Sequence, residues 1–173
     1  MVKVESPFTA STIILKVALR PMHCQRPIEA VKGQLNDLLL KYSEDIQGVP
    51  LSYSGLELPR GLENGRILAE QPFVHVDLRA TVTMFRPVRG LRIRGRINKV
   101  SDSHISLLVY GMFNASLSAS ELVSNSYEYN YETIAWESAE WGDLIEGESM
   151  EVEIASFQHA NGVLNLGCVF ARE

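Results

Sequence analysis

Cysteine and histidine are sparse in this 173-residue chain. The two cysteines, Cys24 and Cys168, lie far apart, so no close pair offers a metal or redox motif. In a reducing compartment they are expected to be free, partly buried thiols. His23, His75, His104 and His159 are scattered over both halves, with no two at metal-ligand spacing and no carboxylate beside one at general-base spacing. The chain also lacks a nucleophile elbow. Neither glycine-bearing stretch is a phosphate loop: Arg60-Gly-Leu-Glu-Asn-Gly-Arg66 has no Lys-Ser/Thr ending, and Arg89 to Arg96 holds only Gly90 and Gly95. These absences argue against an enzyme, and no metal or cofactor is expected.

Long apolar runs are missing too. Nothing approaches the roughly 20 residues needed to cross a membrane. The first residues have no signal-peptide pattern. An intracellular protein is therefore expected, with no membrane partner. With 46% hydrophobic and 21% charged residues the composition is that of a globular chain, long enough for one large domain or two small ones.

Basic residues are absent from one long stretch. After Lys99 no Lys or Arg occurs until Arg172, while ten acidic residues run from Glu121 to Glu153. The net charge of -5 is thus unevenly spread. Residues 1–86 hold ten Lys/Arg against nine Asp/Glu; residues 87–173 hold six against twelve. Just before the acidic stretch, Arg86, Arg89, Arg92, Arg94, Arg96 and Lys99 crowd together. Such a division suits charged partners, and it equally suits two solvated faces.

What is present reads as two domains. Ser11 to Leu19 alternates as a strand, with Ile13, Leu15, Val17 and Leu19 on one side. From Ile28 to Tyr42 the apolar period lengthens: Ile28, Val31, Leu35, Leu38 and Leu39 give a helix one apolar face, with Pro27 at its first turn. Strands are predicted over Val49–Leu58 (closed by Pro59 and Gly61), Gly65–Ala69 and Phe73–Phe85. Pro87 and Gly90 mark a break, so domains of residues 1–86 and 87–173 are expected. The second half has strand patterns at Gly90–Val100, His104–Tyr110 and Met112–Leu117, then a helical turn at Ala119–Val123. A last pair, Ser149–Phe157 and Gly162–Phe170, is joined through the hairpin-favouring Asn161-Gly162. Three strands, a short helix and two strands is the order of a five-stranded OB barrel. The fold class expected is α+β: a strand, helix and antiparallel strands followed by an OB-fold β-barrel. Residues 124–146 are extra to the barrel: an acidic, aromatic loop or hairpin carrying Tyr127, Tyr129, Tyr131, Trp136 and Trp141.

Alternation places Arg92, Arg94 and Arg96 on one strand face, about 6.5–7 Å apart, with Lys99 just beyond. That spacing approximates the phosphates of an extended single strand, and OB barrels bind such strands with charge plus stacking aromatics. Pairing of the same arginines with the acidic segment of their own domain is the competing possibility.

The chain resembles the stalk subunits of archaeal and eukaryotic RNA polymerases, which join a strand–helix–strand tip domain to an OB barrel. The likeness runs from about Ser11 to Leu122, and more loosely to Phe170. Phe85-Arg-Pro-Val-Arg-Gly-Leu91 resembles the family's junction, and Gly65-Arg-Ile-Leu68 the tip motif. Within the family, Asn98-Lys-Val-Ser-Asp-Ser-His-Ile-Ser106 and Gly111-Met-Phe-Asn-Ala-Ser116 are similar to the A43-type subunit of RNA polymerase I. Two departures are visible. That subunit usually has extended tails, whereas this chain is compact. Where related barrels place a stacking aromatic and a basic or histidine residue, this chain has Ser106 and Asn114.

The resemblance implies a non-catalytic subunit in the nucleus and nucleolus, serving ribosomal RNA transcription. It would pair with a smaller stalk subunit, anchor on the polymerase I core through its tip, dock the polymerase I-specific initiation factor and lie near nascent RNA. Arg92, Arg94, Arg96 and Lys99 are then the nucleic-acid candidates. Glu128, Glu132, Glu137, Glu140, Trp136 and Trp141 are the partner-binding candidates. The alternatives are a stalk subunit of RNA polymerase III or of an archaeal polymerase, and a free OB-fold single-strand binding protein. A dedicated binder should be basic, with aromatics on its barrel face. This half is acidic, and its aromatics cluster in the insert.

Overall fold

A computed structural model describes residues 6–58, 65–68 and 71–171. Pro59, Gly61, Ala69 and Arg172, used in the sequence reading, lie outside them. The chain divides between Arg86 and Pro87 into two compact units.

The N-terminal unit is a helix on one face of an antiparallel sheet. β1 (Phe8–Leu19) pairs with β4 (Val74–Phe85) along their full length, and β2 (Val49–Glu57) flanks β4 on its other side. The two-residue β3 (Arg66–Ile67) also pairs with β4. Period-two alternation gives β4 a buried row of Val76, Leu78, Ala80, Val82 and Met84. α1 (Pro27–Leu38) lays Val31 and Leu35 against Val17, Leu19, Val76 and Leu78. The helix ends four residues before the predicted Tyr42. The Leu40 N–H is taken by the Pro50 carbonyl at 2.9 Å, and Leu40 adopts φ 61. A tertiary hydrogen bond here outweighs continuation of the helical ladder.

The C-terminal unit is a closed barrel of β5 (Arg92–Val100), β6 (His104–Val109), β7 (Phe113–Ser118), β10 (Ser149–Ala160) and β11 (Val163–Phe170). Its pairs are antiparallel except β7 with β11, which is parallel. This is the five-strand OB arrangement, so the expected α+β class with an OB barrel holds. The inward residues of every strand form the core, among them Ile93, Ile97, Ile105, Leu107, Val109, Leu117, Val152, Ile154 and Leu166. Gly95 faces that core, where a Cβ would lie 3.1 Å from the Leu107 Cβ. Leu122 of α2 (Ala119–Ser124) is fully buried, and the Ser118 hydroxyl caps the helix by accepting from the Glu121 N–H.

In the barrel, two strand limits differ from expectation by two residues or more. β5 begins at Arg92, because Gly90 (φ 81) and Leu91 complete a turn from Val88. β10 runs on to Ala160, leaving Asn161 and Gly162 alone at the tip with φ 51 and 79, the left-handed pair a tight hairpin turn requires.

Candidate functional site

The barrel unit carries two charged surfaces, and strand register determines what each can do. On β5, Arg92, Arg94 and Arg96 are exposed while Ile93, Gly95 and Ile97 face inward. Strict alternation would turn Lys99 toward the core with Ile97. A register shift between Ile97 and Lys99 instead leaves both Asn98 and Lys99 exposed and returns Val100 to the interior. All four cations therefore lie on the outside.

The neighbouring strand alters their electrostatics. β10 sets Glu153 directly opposite Arg92, Glu151 opposite Arg94 and Ser149 opposite Arg96. Cross-strand partners share a face, with Cβ atoms about 4.5–5.5 Å apart. The Arg96 Nε–H donates to the Gly147 carbonyl at 3.1 Å. The row is thus interleaved with carboxylates of its own barrel, and its net field is weaker than the sequence suggests. The outward face of β6 and β7 carries no Lys, Arg, Asp or Glu: His104 pairs with Ser118, Ser106 with Ser116 and Leu108 with Asn114, so His104 at its edge is the one ring among these strand residues and no Phe, Tyr or Trp is there for base stacking.

The second surface is the insert. It folds as a small hairpin of β8 (Glu128–Asn130) and β9 (Ala135–Glu137), extended by a bridge from Trp136 to Leu144. Three aromatic residues anchor it. Tyr127 is buried and stacks on Phe170 with centroids 5.5 Å apart and planes 6° apart. Burial also pushes its phenol pKa up. Tyr129 meets Trp136 edge-on at 5.3 Å and Tyr131 at 4.9 Å.

Trp136, expected on the partner-binding surface, is only 3% exposed, and its indole Nε1–H donates to the Ser101 carbonyl at 2.8 Å. It pins the hairpin to the β5–β6 turn and has little surface left for a partner. Ser101 belongs to the Asn98–Ser106 motif, so that segment also holds the insert in place.

The carboxylates divide likewise. Glu137 is engaged inside the hairpin: one of its oxygens accepts from the Thr133 hydroxyl at 2.6 Å and from the Asn130 side-chain amide at 2.9 Å. These bonds, Thr133 first, hold its pKa below the usual glutamate range. Glu128, Glu132 and Glu140 are exposed, and Trp141 is 68% exposed.

An open groove of about 930 Å³ runs beside the hairpin, lined by Val123, Ser126 to Glu132 and Glu137 to Ala139. Sequence reasoning missed two of its makers. Asn130 organises the turn by accepting from the Glu132 and Thr133 N–H groups, and the spacing Asn130-x-x-Thr133 is the signal that could have shown it. Ser138, buried with its Oγ lacking a hydrogen-bond partner, left no sequence signal. Among the described residues no group of His, Cys, Asp and Glu could hold a metal ion.

Comparison with known proteins bears on the same unit. Residues 87–155 match the family model described as the RPA43 OB domain in RNA Pol I. Over 151 residues the chain is 34% identical to the DNA-directed RNA polymerase I subunit RPA43 of Danio rerio, covering 86% of this chain and 35% of that protein. The barrel unit is of the A43-type family. Its Homo sapiens member is 38% identical over 108 residues, covering 62% of this chain and 31% of that protein. The Schizosaccharomyces pombe member is 28% identical over 158 residues, covering 88% of this chain and 89% of that protein. The aligned region thus spans about a third of the two vertebrate members and most of the fission-yeast one. The matched A43-type segment contains the arginine row, the insert and the first part of β10.

Proposed function

We infer that this chain is a stalk subunit of RNA polymerase I, acting through protein surfaces and not through catalysis of its own. The observation that carries the reading is the coincidence of a closed OB barrel with the family match over residues 87–155. In this reading the protein works in the nucleus and nucleolus on ribosomal RNA genes. The N-terminal unit pairs with a smaller stalk subunit and anchors on the polymerase core. Ile67 and Leu68, 67% and 52% exposed, support an anchor on the short β3 segment, since exposed apolar side chains close together suit a docking surface.

The barrel then offers its acidic insert to the initiation factor, with Glu128, Glu132, Glu140 and Trp141 outward. Nascent RNA is a minor partner, touched through Arg92, Arg94, Arg96 and Lys99. The carboxylates of Glu151 and Glu153 reduce that attraction, and the β6–β7 strands offer no Phe, Tyr or Trp on their outward face for stacking.

Co-purification tests the assignment. Recovery of the tagged chain with the large polymerase I subunits is the expected result; recovery alone, or with polymerase III subunits, overturns it. Charge reversal by Glu132→Lys with Glu140→Lys should weaken capture of the initiation factor. Unchanged capture at physiological salt would remove the insert from the interface. A filter-binding titration separates the rival free single-strand binder, whose affinity should be clear and fall steeply with salt.

A further inference from the structure

We propose that the groove beside the β8–β9 hairpin is a recognition site for an arginine-bearing peptide segment. This rests on the reading of the insert as a partner surface and narrows it to one ligand chemistry.

Charge points to a cation. Glu128, Glu132 and Glu137 line the groove, no cation lines it, and the sequence has no Lys or Arg between Lys99 and Arg172 to neutralise them locally. The Glu128 and Glu132 carboxylates enter no ion pair among the described residues.

The rings point to a guanidinium rather than an ammonium. Tyr131 is 76% exposed and is held edge-on by Tyr129, which in turn rests on the buried Trp136. Aromatic faces beside carboxylates match the two ways a guanidinium binds, by stacking and by a forked pair of charge-assisted hydrogen bonds. The ring ladder is anchored through Trp136, so little ordering is left for the moment of binding.

Ser138 is an independent sign of a ligand. It lines the groove at 8% exposure, and its buried Oγ has no hydrogen-bond partner. Buried hydroxyls are normally satisfied; a χ1 rotation that turned this hydroxyl into the groove would let a peptide backbone group or guanidinium N–H satisfy it. Single-stranded RNA could use the rings for stacking, but its phosphates would meet three glutamates. The same charges that attract a basic peptide repel it.

The test is a fluorescence-anisotropy titration of the whole chain with a fluorescein-labelled Gly-Arg repeat peptide. A Gly-Lys repeat and oligouridylate serve as comparison probes. The arginine peptide should bind tightest and oligouridylate weakest. Glu128→Gln with Glu132→Gln should weaken the arginine peptide by about tenfold or more. Tyr131→Ala should weaken it roughly two- to fivefold, and Ser138→Ala should weaken it while leaving the urea midpoint unchanged or higher. Circular dichroism confirms that each variant is folded. Equal binding of arginine and lysine peptides with no effect of Tyr131→Ala overturns the proposal in favour of diffuse electrostatic attraction. Tighter oligouridylate binding overturns it in favour of nucleic acid. Glu140 lies outside the groove lining. If Glu140→Lys abolishes capture of the factor while groove variants leave the peptide unaffected, the partner surface stands and the groove falls. If groove variants weaken the peptide while factor capture resists Glu140→Lys, the site stands without that partner.

Discussion

Replacing Trp136 gives the most direct test of how the insert is held. The side chain is 3% exposed, touches Tyr129 edge-on and donates to the Ser101 carbonyl. Truncating a buried tryptophan to alanine removes its transfer energy and leaves a cavity, together about 3–5 kcal/mol. Trp136→Phe keeps most of the apolar contact and removes the indole hydrogen bond, which should cost about 1 kcal/mol. The difference between the two variants measures packing apart from hydrogen bonding. With an m-value of about 2 kcal/mol/M in urea, the alanine variant should lower the barrel's midpoint by about 1.5–2.5 M if the insert unfolds with the barrel. If the insert opens separately, the loss is local instead, and amide exchange of Asn130 and Trp136 accelerates while the barrel strands stay protected. The reasoning fails if Trp136→Ala leaves both the midpoint and the hairpin amides as they were. It also fails if the phenylalanine variant loses as much as the alanine one, since the hydrogen bond would then outweigh the packing.

Five further outcomes are expected. Gly95→Ala should destabilise the barrel by about 1–3 kcal/mol, because its Cβ would press on Leu107 at 3.1 Å. Gly33→Ala, in α1 with nothing within 4 Å of the new methyl, should stabilise the N-terminal unit by about 0.5–1 kcal/mol; urea melts of each variant read both. Ile134, exposed and β-branched, sits at φ 53 on the hairpin turn, so Ile134→Asn should stabilise the hairpin by about 1 kcal/mol in the same melts. The Glu137 carboxylate titrates lower folded than unfolded. Its stabilising contribution is therefore present above the ordinary glutamate pKa and lost as pH falls through the depressed folded value; amide exchange of the hairpin should show this acid loosening, and Glu137→Gln should abolish it. Burial pushes the Cys168 thiol up to about 11, so iodoacetamide at neutral pH should leave it unlabelled in the native chain and alkylate it after denaturation.

The charged sites were less legible than the strands. The arginine row could be seen in the sequence, but the glutamates facing it could not. Arg94 and Glu151 are far apart in the chain and become neighbours only when β10 pairs with β5. Lys99 would have been counted inward by alternation alone; the bulge after Ile97 turns it outward. Trp136 and Trp141 look alike in the acidic insert, yet one is buried and the other exposed, because only Trp136 reaches a carbonyl on the β5–β6 turn.

By itself the sequence determined the class of elements, the OB strand order and the family. Those depend on local periodicity, on turn residues such as Asn161-Gly162 and on contiguous motifs, all of which act between near neighbours. Only the tertiary structure decided where α1 ends, which charges cancel, which aromatic anchors the insert and that a groove with an unpartnered Ser138 exists. Each of these turns on contacts between distant segments, and strand register and packing bring such residues together without leaving a local trace in their spacing.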